Sequence, residues 1–143
     1  MALKRGLTNE LTQWNNRKNR LPLILWGARQ VGKSTSVEAF GAQHFEHCHI
    51  FNFQRAKSLQ KIFQGDLDTA LILEGLSFFS KRSITSQDLI FFDEIQECPE
   101  AVTTLKYFAE DRPELPIIAA GSYLGLVKNE SSFPVGKVEF LTA

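Results

Sequence analysis

The chain has 143 residues, 43% of them apolar and 12 of them Phe, with 16 basic against 16 acidic side chains and a formal net charge of zero. That is enough for one core, of a single domain or a piece of a larger one. The neutral balance lends no support to a nucleic-acid partner, no apolar stretch reaches the ~18 residues of a membrane helix, and the start Met1-Ala2-Leu3-Lys4-Arg5-Gly6 lacks the apolar region of a signal peptide.

Residues 1–20 read as an N-terminal helical segment ahead of a main domain, 21–143. Its helix is predicted over 8–19, capped by Thr8 or Asn9, with Leu7, Leu11 and Trp14 on one face. Arg17, Lys18 and Arg20 are the basic cluster: a solvated helix end, or a contact with nucleic acid or a neighbouring subunit. Leu21 to Trp26 is a buried strand in which Pro22, near the start, is tolerated. A helix follows over 33–45, a strand over 49–53, and helices over 55–63 and 68–81. Leu89-Ile90-Phe91-Phe92 reads as a strand buried on both faces, and Pro99 to Asp111 as a helix with Pro near its first turn. Strands over 116–120 and 137–141 close the chain, with a short helical or irregular piece at 124–127 between them. Phe63, Phe78, Phe79, Phe91 and Phe92 are predicted core. Near-continuous apolar strands alternating with helices imply α/β architecture, a parallel sheet covered on both faces.

Gly27-Ala28-Arg29-Gln30-Val31-Gly32-Lys33-Ser34 follows the first strand directly. It has the spacing G-x-x-x-x-G-K-[ST], in which a tight glycine turn aims backbone N–H groups at a phosphate and a helix adds the positive end of its dipole. Lys33 then supplies charge to the β- and γ-phosphates and Ser34 a hydroxyl to Mg²⁺. The second chemical element is Asp93-Glu94, two acids at the carboxyl end of a buried strand, where open α/β sheets bind ligands. Asp93 suits Mg²⁺ or a water on it, and Glu94 suits polarising a water for attack on the γ-phosphate. Ser122, ending the next strand after Gly121, would reach the γ-phosphate if that strand lies between the other two. Gln96 has two readings, a contact on the nucleotide side or one with a neighbour.

Other residues offer less. His44, His47, Cys48 and His49 have metal-binding types, but neighbours on a strand point to opposite faces and do not readily share an ion. Cys48 and Cys98 lie far apart outside any C-x-x-C pair, which points to reduced thiols in a cytoplasmic protein, and Cys98 has no evident base partner.

These motifs and their spacing resemble the AAA-type P-loop ATPases of bacteria and archaea that join an ATPase module to a C-terminal domain of unknown function. The likeness runs from the phosphate loop with its Arg29-Gln30 pair through Phe91-Phe92-Asp93-Glu94-Ile95-Gln96-Glu97-Cys98-Pro99. It continues in Leu105-Lys106-Tyr107-Phe108-Ala109-Glu110, Ala119-Ala120-Gly121-Ser122-Tyr123-Leu124-Gly125 and 132–141. It implies a P-loop NTPase fold, a three-layer α/β/α sandwich with a five-stranded parallel sheet of order 5-1-4-3-2. It implies ATP and Mg²⁺ as ligands: Gly27, Ala28, Arg29, Gln30, Val31, Gly32, Lys33, Ser34 and Thr35 around the nucleotide, Ser34 and Asp93 on the metal, and Lys33, Glu94 and Ser122 in catalysis. A homo-oligomer is expected by analogy alone. Such proteins continue into a helical lid and a further domain, and this chain ends at Ala143. No arginine finger is identifiable, with Arg29 or Lys137 as candidates, so ATP binding with weak hydrolysis is expected. The alternatives are a nucleotide-binding interaction module without catalysis and a small-molecule kinase.

Overall fold

The computed structural model describes residues 2–27, 32–122 and 136–142, with side chains given from residue 6 onward. Its elements run α1 (Ala2–Asn15), β1 (Leu23–Gly27), α2 (Lys33–His44), β2 (Cys48–Asn52), α3 (Thr69–Ser80), β3 (Leu89–Asp93), α4 (Pro99–Asp111), β4 (Ile117–Ser122) and β5 (Glu139–Thr142). Two 3₁₀ segments, Lys57–Phe63 and Ile95–Glu97, precede α3 and α4. The strands form one sheet in the order β2-β3-β4-β1-β5, with every neighbouring pair parallel. Read from the other edge, this is the expected order 5-1-4-3-2.

Alternation within each strand divides the core in two. Successive side chains point to opposite faces of a sheet. Thus Ile24, Ile90, Phe92, Ile117 and Ala119 pack on one side, with α3, α4 and both 3₁₀ segments contributing Leu59, Phe63, Ile72, Leu76, Ile95, Leu105 and Phe108. Leu23, Leu25, Leu89, Phe91, Ile118 and Ala120 pack on the other, under Leu7, Leu11 and Trp14 of α1 and Val37 and Phe40 of α2. Both layers bury apolar residues completely, which is why β3 and β4 carry runs rather than alternating patterns. Each fully buried Leu, Ile, Val or Phe contributes about 1.5–3 kcal/mol.

The predicted caps of α1 are not its caps. The helix starts at Ala2, so Thr8 lies within it and its carbonyl accepts from Thr12 Oγ1 at 2.9 Å. It ends at Asn15 rather than Asn19, because Trp14 Nε1 donates to Leu21 O at 2.6 Å and requires the chain to turn back toward β1. The two arginines of the basic cluster are held in the same corner. Arg17 pairs with Glu139 of β5, while Arg20 lies 5.4 Å from the Trp14 ring and donates to Asn15 Oδ1 at 2.7 Å and Glu114 O at 3.3 Å.

Residues 55–63, expected as a helix, form the 3₁₀ segment from Lys57 instead. Asn52 Oδ1 accepts from the backbone N–H groups of Gln54 and Arg55, and this side-chain turn competes with a regular helical start. Asp68 caps α3 through Ala70 N and Leu71 N, as the predicted start at 68 requires. Phe78 and Phe79 are not core: they are 87% and 40% exposed. Ile72 and Leu76, four residues apart, turn one face of α3 inward, which leaves Phe78 and Leu71 on the other. Phe63, Phe91 and Phe92 are buried as expected. The piece at 124–127 lies outside the described residues. Among the described residues, no helix is long and apolar enough to cross a membrane.

Candidate active site

Parallel pairing in this order brings three carboxyl-terminal strand ends together. β4 lies between β1 and β3, Gly27 is registered with Ser122, and Asp93 follows Phe92, which is registered with Ala119. This is the crevice at which open α/β sheets take ligands. Gly32 leads into α2 at φ 75°, ψ 24°, the left-handed region. A Cβ there would meet no atom within 4 Å, so glycine answers to backbone conformation and not to space. Gly32 at the N-cap supplies no side-chain bond and α2 has no acid in its first turn, so the positive end of its dipole faces the cleft.

Lys33 is 8% exposed, and its Nζ donates to Gly27 O at 3.2 Å, linking the start of α2 to the end of β1. Ser34, the next residue, donates from Oγ to Asp93 Oδ2 at 2.7 Å. The other carboxylate oxygen, Oδ1, accepts from Glu94 N–H at 2.9 Å. Burial raises the Asp93 pKa above the usual carboxylate value. The bond from Ser34 opposes the rise, the Glu94 charge adds to it, and the Glu94 amide and Lys33 offset only part.

Glu94 adopts φ 54°, ψ 47°, a left-handed conformation that costs a non-glycine residue about 1–3 kcal/mol. It sits at the turn from β3 into the segment Ile95–Glu97, whose Ile95 is fully buried. A cleft of about 190 Å³ is lined there by Gly32, Lys33, Ser34, Thr35, Asp93, Glu94 and Gly121.

Six of the expected residues therefore meet around one cleft: Gly32, Lys33, Ser34, Thr35, Asp93 and Glu94. Gly27 joins them through its carbonyl bond to Lys33. Ala28, Arg29, Gln30 and Val31 lie outside the described residues. Ser122 ends β4 beside Gly27, and the cleft wall at this strand end is Gly121. Gln96 bridges two groups at the strand ends that bear the cleft. Its Nε2 donates to Glu94 Oε1 at 2.8 Å, and its Oε1 accepts from Ser122 N–H at 3.4 Å. Two positions after a strand-end acid is no signal by itself, because the second partner is 26 residues away. Lys137 is exposed in the turn ahead of β5.

The histidines belong to a different cluster. His49 Nε2 lies 2.9 Å and His47 Nδ1 3.3 Å from the Asp88 carboxylate, which also accepts from Thr85 N–H at 3.0 Å. Cys48 and Cys98 are free thiols, both pushed up to about 11, chiefly by burial, so neither is a ready nucleophile.

No curated protein matches the chain in sequence. Among solved structures, the Walker-type ATPase of Pyrococcus abyssi is similar with a TM-score of 0.56 and 17% identity, over 94% of this chain and 52% of that one. The Orc1 protein of Aeropyrum pernix, in complex with DNA, has a TM-score of 0.53 at 16% identity, over 97% and 44%. The Holliday junction branch migration motor RuvB of Thermotoga maritima has 0.52 at 19%, over 98% and 44%. The chain thus spans about half the length of these structures, and at such identities the likeness is one of fold. The family model described as AAA domain matches residues 19–142. With this match over most of its length, the chain belongs to the AAA domain family, and its five-stranded parallel sheet has the P-loop NTPase fold.

Proposed function

We propose that the cleft binds ATP with Mg²⁺ and that Glu94 orients a water for attack on the γ-phosphate. One observation carries this reading: Ser34 Oγ and Asp93 Oδ2 stand 2.7 Å apart although 59 residues separate them in sequence. A hydroxyl and a buried carboxylate with hard oxygen donors fit Mg²⁺, which takes few protein ligands and keeps its waters. Mg²⁺ held by Ser34 and Asp93 would neutralise charge on the β- and γ-phosphate oxygens. Gly32 and the start of α2 receive the phosphates, and Lys33 adds a cation to them. Thr35 borders the same space. Ser122, at the end of β4, reads the γ-phosphate from the side of β1.

Hydrolysis by this chain alone is slow in this reading. Lys33 is the cation that lines the cleft among the described residues, and an arginine finger, where one operates, is worth about 10³–10⁵ in rate. DNA is not carried over from the Orc1 and RuvB structures, because a likeness at 16% and 19% identity is one of fold.

Titration of ATP and ADP with and without Mg²⁺, followed by single-turnover hydrolysis, tests the reading. Glu94→Gln is expected to keep nucleotide affinity and lose about 10²-fold or more in hydrolysis. No binding of either nucleotide up to millimolar concentration would overturn the proposal. Equal hydrolysis by wild type and Glu94→Gln would leave a binding module without catalysis. Turnover above about 1 s⁻¹ would contradict the slow rate.

A further inference from the structure

We infer that Gln96 is a positioning residue that ties Glu94 to the end of β4 and sets the hydrolysis rate without touching nucleotide. The inference rests on the reading that Glu94 orients the attacking water. Gln96 sits in the short 3₁₀ segment after β3, and its amide spans two strand ends. Nε2 donates to Glu94 Oε1 at 2.8 Å, and Oε1 accepts from Ser122 N–H at 3.4 Å. A neutral amide satisfies both. One end must donate to a carboxylate and the other accept from a backbone N–H, and the flipped amide would set oxygen against oxygen and N–H against N–H.

The segment carrying Gln96 is itself braced. Ile95 is fully buried, Glu97 O accepts from Gln60 Nε2 at 3.2 Å, and Lys57 pairs with Glu97 at 3.6 Å. Ser122 is registered with Gly27, whose carbonyl accepts from Lys33. A continuous set of contacts therefore runs from Lys33 through the ends of β1 and β4 to Gln96 and Glu94. A shift of Ser122 on the β4 side would move the Glu94 carboxylate through the Gln96 amide.

The test compares wild type, Gln96→Met, Gln96→Glu and Glu94→Gln. The readouts are nucleotide affinity, single-turnover hydrolysis, and hydrogen exchange of the Ser122 amide by NMR in the nucleotide-free protein. Gln96→Met keeps the side-chain length and removes both bonds. It is expected to speed Ser122 exchange, keep ATP affinity within about twofold, and slow hydrolysis by roughly 10–100-fold, the scale of a misplaced catalytic group. Gln96→Glu sets a second carboxylate against Glu94, so its hydrolysis is expected to recover as pH falls and that group protonates into a donor. A purely structural role would not produce that pH profile. Normal hydrolysis by Gln96→Met beside an inactive Glu94→Gln would overturn the inference alone, as would unchanged Ser122 exchange. A wild-type rate no higher than that of Glu94→Gln would overturn the parent reading and this one with it.

Discussion

Two aspartates stand five residues apart at opposite ends of one strand, both buried, and they are built in opposite ways. Asp88, ahead of β3, is 1% exposed and accepts from His49, His47 and Thr85. Burial alone would raise its pKa, but the bonds from His49, Thr85 and His47 outweigh burial and hold the carboxyl below the usual range. Asp93, at the far end, is 7% exposed and has a hydroxyl and one amide for partners, which leave its pKa raised. Asp88 is a carboxylate whose charge the fold has already answered. Asp93 is one whose burial the Ser34 hydroxyl, the Glu94 amide and the Lys33 charge offset only in part. His47 itself is bound by Arg82 at 2.8 Å, so the Asp88 cluster extends just past the end of α3.

Stability separates the two most strongly. Asp88→Ala strips His49 and Thr85 of their acceptor and is expected to cost about 3 kcal/mol in urea denaturation. Asp93→Asn keeps the shape and removes a poorly answered charge, so stability is expected to change by less than about 1 kcal/mol, and upward. A larger loss at Asp93 than at Asp88 would reverse the comparison.

Acid should sharpen it. A carboxyl whose folded pKa is depressed contributes stability above its unfolded value of ~4 and loses it as pH falls through the lower folded one. Asp88 is that case, so wild type is expected to weaken on acidification below ~4 and Asp88→Asn to weaken less. Asp93 has the opposite sign, its contribution present below the unfolded value and lost as pH rises through the raised one. Asp93→Asn should therefore gain on wild type toward neutral pH. Urea midpoints between pH 3 and 7 would show it, and parallel curves for all three proteins would remove the distinction.

The smallest effect divides the histidines. The His49 side chain is 4% exposed and the His47 side chain 43%. His49→Ala is expected to cost about 2 kcal/mol and His47→Ala under ~1. Equal costs would mean that Asp88 draws on both alike.

Much of this fold was legible in the order of residues because local chemistry and periodicity decide it. Five apolar runs with helices between them imply a covered parallel sheet, and the spacing from Gly27 to Ser34 directly after a strand reads as a phosphate loop because of that context. The acids at 93 and 94 were legible as a strand end for the same reason. Which face of α3 turns inward was not, because Phe78 and Phe79 are as apolar as Ile72 and Leu76 and the contact that chooses between them comes from the sheet. Nor was the end of α1, set by the Trp14 bond to Leu21 and not by any capping residue. Of the contacts that set the cleft apart, the meeting of Ser34 with Asp93 across 59 positions was implied by the family resemblance, while the Ser122 to Gln96 bond across 26 was hidden. The chain by itself determined which groups are present and on which strand or helix each one rides. Only the packed sheet decided that β4 lies between β1 and β3, and with it which of those groups touch and which buried charge goes unanswered, because strand pairing is a choice among distant segments that no local preference contains.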